Sequence, residues 1–301
     1  MIKDVFKEVE LENSVLRSHA ENFISSLQKK PATALTYQKA LNEFTEFANR
    51  GKFRFTVEDV LKYKRYLDYK KKMTKYSAST YLTSLRQFCI YLLGIGVIEK
   101  NPARRVNYKI KDRVVKFDYL TKEQIATLFG EITEEEKQGT RDKALLSLMI
   151  YTGLSEEQIP NILFADFQRQ SNKKKFTLSV KNQLGYSQIE LTNDSAKLLQ
   201  DYIKTRESSF SNEPLFISMS NRSGKSAITK RGVREIVLQR LKGASFAKES
   251  GIKLTPHTLS HTAAILFAES GAKSVEVAKR FEIKSDVTLK KIFEAAKKNY
   301  S

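Results

Sequence analysis

Cysteine, histidine and acidic residues are scarce in this chain. Its 301 residues include one cysteine, Cys89, and three histidines, with 34 acids against 53 lysines and arginines. A lone thiol excludes an internal disulfide framework and suits a reducing compartment. Cys89 falls in an apolar helical run, so buried packing is expected of it rather than reactivity. So few soft ligands, in no metal-ligand spacing, exclude a zinc site by pattern, and no metal or cofactor is expected. No apolar run approaches the roughly 18 residues of a spanning helix, and Met1-Ile2-Lys3-Asp4 does not open a secretory signal. The expectation is a cytoplasmic, nucleoid-associated protein with no membrane partner.

What is abundant is positive charge. The net charge is +19, on a chain that is otherwise ordinary at 41% hydrophobic and 29% charged residues. Each lysine or arginine placed on a phosphate releases condensed counterions, so an excess of this size favours a polyanionic partner over a generic lysine-rich surface. The length suits one large or two ordinary domains.

Residues 1–105 read as all helix. Leu41, Phe44, Phe47 and Ala48 recur at helical spacing within 34–49, a second helix is expected over 56–69, and a third over 79–93 buries Leu82, Leu85, Phe88, Cys89 and Leu92. A basic linker follows at 106–117, part of a run from Arg104 and Arg105 through Lys109, Lys111 and Arg113 to Lys116. Beyond it, 118–301 is mixed. Thr121 and Gln124 form a T-x-x-Q capping box, and 141–151 is strongly apolar. Strands are expected over 176–180 and 186–191, then helices over 196–205, 231–241 and 262–270. The expected fold class is mainly α with a small antiparallel sheet (α+β).

Two segments carry chemistry: Thr152-Gly153-Leu154-Ser155-Glu156-Glu157-Gln158, and His257-Thr258-Leu259-Ser260-His261. They resemble the boxes T-G-L-R-x-x-E and H-x-L-R-H of the tyrosine recombinase (phage integrase) family. Weaker family features stand in the same order along the chain: Thr33–Tyr37, Val60–Tyr63, Ser77 to Phe88, Asn101-Pro102-Ala103, Tyr119-Leu120-Thr121, Arg141 to Leu146, Pro214-Leu215-Phe216 and Arg231 to Arg234. The resemblance implies a helical core-binding (SAM-like) domain and a catalytic-type domain forming a C-shaped clamp on double-stranded DNA.

The family's cleavage chemistry uses a tyrosine nucleophile, two arginines, a hairpin lysine and histidine-type groups. Guanidinium forks match the charge that gathers on a phosphoryl transition state. Ser155 and Ser260 stand where the arginines are expected, and Ile283 where a histidine is. Ile292 occupies the tyrosine position, or Phe293 with a one-residue slip. Ser155 reads as an S-x-x-Q helix cap, and Glu156 and Glu157 as carboxylates that would repel a phosphodiester. Losing one such contact costs about 10²–10³ in rate. The resemblance with these departures implies no catalytic set and a protein that is not an enzyme. His257, His261 and Lys181 are retained; His261 is expected on the buried side of its box, and Tyr300 in a terminal tail. Ser223-Gly224-Lys225-Ser226 lacks the earlier glycine of a phosphate-binding loop and reads as a basic loop.

For DNA contact the resemblance points to helices beginning near Thr33 and Ser77. The candidates there are Thr36, Lys39, Lys75, Ser77, Ser79, Thr80, Thr83 and Arg86, the hydroxyls serving either as phosphate approaches or as helix caps. In the second domain they are Lys181, Lys225, Lys230, Arg231, Arg234 and His257. The expected function is a sequence-specific DNA-binding transcriptional repressor of a phage or mobile element, similar in kind to repressors of SPβ-group prophages. The alternatives are an active recombinase using unorthodox residues and an accessory factor of a recombination complex. With little chain after Phe293 to exchange, a monomer or weak dimer that pairs on DNA is expected. A regulatory peptide or protein partner is left open.

Overall fold

The computed structural model describes residues 9–27, 31–51, 53–108, 117–133, 137–170, 175–182, 185–206, 210–219, 226–249 and 251–298. Its contacts divide the chain into two units, Met1–Val114 and Val115–Ser301. Lys225, Tyr300 and the basic stretch from Lys109 to Lys116 lie outside the described residues.

The first unit is helical: α1 (Asn13–Ser26), α2 (Pro31–Asn49), α3 (Val57–Arg65) and α4 (Lys75–Gly94). The Thr56 hydroxyl accepts the Asp59 N–H at 3.2 Å to start α3, and Glu58 and Asp59 oppose the positive end of the helix. A π turn, Tyr66–Lys70, prolongs α3. Lys72 then adopts φ 48°, reversing the chain into α4. The core is aromatic. Phe44 meets Phe53 at 4.9 Å and Tyr63 at 5.4 Å, both edge to face, and Leu82, Leu85, Phe88, Cys89 and Leu92 close it. Burial pushes the Cys89 thiol up to about 12, the behaviour of a packing residue.

The second unit contains α5 (Lys122–Gly130), α6 (Lys137–Thr152), β1 (Phe167–Arg169), β2 (Phe176–Asn182), β3 (Gly185–Glu190), α7 (Asn193–Lys204), α8 (Lys230–Gly243), α9 (Pro256–Glu269), α10 (Ser274–Arg280) and α11 (Asp286–Lys298). The Thr121 and Gln124 side chains form the expected capping box at the start of α5. Leu145, Leu146, Leu148, Met149 and Ile150 are all buried, so this part of α6 is enclosed, packing on α7 and α9. The sheet is antiparallel in the order β1-β2-β3, with Lys181 opposite Tyr186 and Asn182 opposite Gly185, whose φ of 118° suits only glycine. A further apolar cluster joins α9, α10 and α11 around Ala264, Ile265, Val277 and Ile292.

Several helices begin earlier than expected, α4 and α9 among them. Thr74, not Ser77 or Ser79, caps α4, accepting the Ser77 N–H at 3.2 Å. Pro256 opens α9, with the Thr258 hydroxyl accepting the Thr255 N–H at 3.0 Å, well before the anticipated start at residue 262.

Candidate nucleic-acid interface

In the first unit, Thr36 and Lys39 are exposed on α2, and Lys75, Ser77 and Thr80 are exposed on the opening turns of α4. The hydroxyls of Thr80 and Thr83 donate back to the carbonyls of Tyr76 (3.1 Å) and Ser79 (2.8 Å), one helical turn earlier. They therefore cap nothing, and a phosphate approach would compete with these bonds. Ser79 and Thr83 are half-buried.

Arg86, a DNA-contact candidate by the resemblance, is bonded to the chain that follows α4. Its Nε donates to the Ala103 carbonyl at 3.2 Å, and its Nη2 donates to the Val106 carbonyl at 3.0 Å and to Asn107 Oδ1. Asn101 returns a bond to the Arg86 carbonyl at 3.0 Å. The guanidinium braces the chain after α4, and reading a guanine would mean leaving these acceptors.

In the second unit, α9 carries the His257 box. The four-residue spacing puts His257 and His261 on one helix face. His257 is exposed in the first turn. The half-buried His261 donates from Nδ1 to the Asp118 carbonyl at 3.0 Å and stacks on Phe117 at 4.3 Å. Burial lowers its pKa; the carbonyl bond opposes that shift, and the nearby His257 adds to it. A neutral imidazole used as packing results. Ser260 is half-buried beside it.

The Ser155 segment follows α6 through Gly153, which adopts φ 78°. A Cβ at Gly153 would lie 2.3 Å from the Phe281 ring, so glycine is required on both counts. The Ser155 N–H and hydroxyl both donate to Gln158 Oε1 at 2.9 Å. The S-x-x-Q unit thus closes a turn into a 3₁₀ element, Ile159–Asn161, rather than capping an α-helix as expected. Reasoning from sequence missed Arg280, whose guanidinium lies 4.4 Å over Phe267 and donates to the Thr152 carbonyl at the end of α6.

Glu156 and Glu157 do not stand as bare negative charges. Arg234 on α8 donates to Glu156 at 3.3 Å, and Lys230 is bonded to Glu157. Arg231 instead pairs with Glu235 of its own helix at 2.8 Å. Lys230 and Arg234 therefore face the Ser155 turn, while Arg231 turns away from it. The three cations do not share a single face.

Of the two residues expected at the tyrosine position, Ile292 is fully buried and Phe293 half-buried, with Ile283 half-buried in the same cluster. Lys181 is exposed, one residue from the end of β2. Among the described residues no cluster of histidine, cysteine and acidic side chains could hold a metal, and no helix is long and apolar enough to cross a membrane.

Residues 118–299 match the phage integrase family and residues 15–110 the phage integrase SAM-like domain. The chain belongs to the phage integrase family. It is 29% identical over 248 residues to tyrosine recombinase XerC of Pelobacter propionicus, covering 80% of this chain and 78% of that one. It is 30% identical over 277 residues to tyrosine recombinase XerC of Thermodesulfovibrio yellowstonii, covering 83% of each. In fold it is similar to the Tn1549 transposon integrase solved with circular intermediate DNA (TM-score 0.69, 15% identity, 95% of this chain and 98% of that one). It is likewise similar to the XerH site-specific recombinase bound to its difH substrate (TM-score 0.65, 17% identity, 96% and 83%).

These relatives correct one expectation. The reading of the chain as not an enzyme does not stand, because the proteins it aligns with over 80% and 83% of its length are named recombinases, which are enzymes.

Proposed function

We propose that this protein binds double-stranded DNA at a defined sequence and regulates a phage or mobile element by occupying that site. The observation that carries the reading is the +19 charge on a chain built from both family domains. Exposed lysines at the carboxyl end of the π turn and the start of α4 (Lys70, Lys72 and Lys75) support it, as backbone anchors rather than base readers. Genome-wide footprinting with a salt titration tests it. A consensus site is expected, with log affinity falling by about 0.9 per phosphate contact for each decade of salt. Recovery of DNA without any consensus would sink the proposal.

A second reading is site-specific recombination by residues other than the family's usual set, and the names of the relatives favour it. A nicked suicide duplex separates the two. A covalent protein–DNA adduct establishes recombinase chemistry, and specific binding without an adduct leaves regulation by occupancy.

A further inference from the structure

We propose that Glu156 and Glu157 are specificity determinants that hold Lys230 and Arg234 against the protein and so penalise non-specific binding to phosphate. This rests on the DNA-binding reading above. The first turn of α8 contains no acid, and the positive end of the helix adds to Lys230 and Arg234 there. Such a place attracts any polyanion. The chain answers with two carboxylates from a different segment, presented by the turn that leads into the 3₁₀ element packed against α8.

The pairs are suited to exchange. The side chains of Lys230 and Arg234 are 52% and 53% exposed, so an incoming phosphate can reach both. Glu156 is held incompletely: its side chain is 16% exposed, and among the described residues its Oε2 is buried with no hydrogen-bond partner. Taking Arg234 away would leave this largely buried carboxylate without a partner on either oxygen, so the exchange carries a cost. The Lys230–Glu157 pair, exposed on both sides, is weak by itself. A chance phosphate contact would have to displace both carboxylates, whereas a cognate site can offset that displacement with contacts made elsewhere.

The test compares binding of a random-sequence duplex by the full chain, by Glu156→Gln/Glu157→Gln, and by Glu12→Gln/Glu21→Gln. The last makes the same change in net charge at two exposed positions, Glu12 just before α1 and Glu21 within it. The first variant is expected to bind on the order of ten-fold more tightly than the unaltered chain, and clearly more tightly than the Glu12→Gln/Glu21→Gln control. The gain should vanish when Lys230→Gln/Arg234→Gln is added. Equal binding by the two double variants, or weaker binding by Glu156→Gln/Glu157→Gln, overturns the inference.

If the unaltered chain binds no duplex, the proposed function fails. Heparin, a polyanion independent of that reading, then ranks the same variants by elution salt, and co-elution of the two double variants again overturns the inference. Should the double variant fold poorly by thermal melting, Glu157→Gln alone, at a side chain 61% exposed, carries the comparison.

Discussion

Asp142 on α6 and Arg240 on α8 are joined by a bidentate ion pair, with Nε at 2.8 Å and Nη2 at 2.7 Å from Oδ2. The other oxygen of Asp142 accepts from Arg141 at 2.7 Å, and both Asp142 and Arg141 are buried. One carboxylate is therefore shared by two guanidiniums, the buried one of Arg141 and the half-buried one of Arg240. Asp142→Ala would strand a buried Arg141, and breaking a buried pair from one side costs about 3–5 kcal/mol. Urea denaturation should show that loss in the transition of the second unit, with the transition of the first unit unmoved.

Arg86 tests brace against base reader. Hydrogen bonds from a charged donor contribute about 1.5–3 kcal/mol, so Arg86→Ala should lower the thermal stability of the first unit by an amount in that range. Lysine cannot reproduce the fork, so Arg86→Lys should recover only part of it. Lost DNA affinity at unchanged stability would return Arg86 to the interface.

His261 predicts a pH dependence. Its folded pKa lies below the ordinary value of 6.5 because burial disfavours the imidazolium. The unfolded chain therefore binds the extra proton first as pH falls. The contribution of His261 to stability is complete above about 6.5 and is lost as pH drops through the lower folded pKa. Denaturant midpoints at pH 7.5 and 5.5 should differ more for the unaltered chain than for His261→Gln. An equal drop in the two would show that His261 is not the group responsible.

How much of this was legible follows from which signals are local. Helical periodicity placed Leu82, Leu85, Phe88, Cys89 and Leu92 in a core, and all five are buried. The Thr121–Gln124 capping box and the β2–β3 hairpin were readable because caps and alternation lie within a few residues. The start of α9 was missed because its Thr258 signal sits inside the histidine box and Pro256 immediately before it. The pairing of Glu156 and Glu157 with α8 could not be read at all, since Arg234 stands 78 positions from Glu156 in the chain. Sequence spacing showed carboxylates beside the expected phosphate seat, and only the fold supplied the cations that pair with them. The acceptors of Arg86 were out of reach of local reading for the same reason, lying 17 to 21 positions downstream.

Ile292 provides the last test, because its position is defined by packing rather than by alignment. It is fully buried among Ala264, Ile265 and Val277, where neighbouring helices fix the available volume. Ile292→Tyr forces a larger ring into that space, and overpacking of a filled core costs about 1–3 kcal/mol. Its hydroxyl must also find a partner or remain unsatisfied, at a further cost of about 1–3 kcal/mol. Phe293 differs, since it is only half-buried and a hydroxyl added at the edge of its ring has a path to water. Phe293→Tyr should therefore change stability by no more than about 0.5 kcal/mol. Thermal melts of the two variants side by side decide the matter. A large drop for Ile292→Tyr with little change for Phe293→Tyr fits α11 packed as described, and the reverse order would mean that the helix is rotated, with residue 293 in the core and residue 292 at its edge.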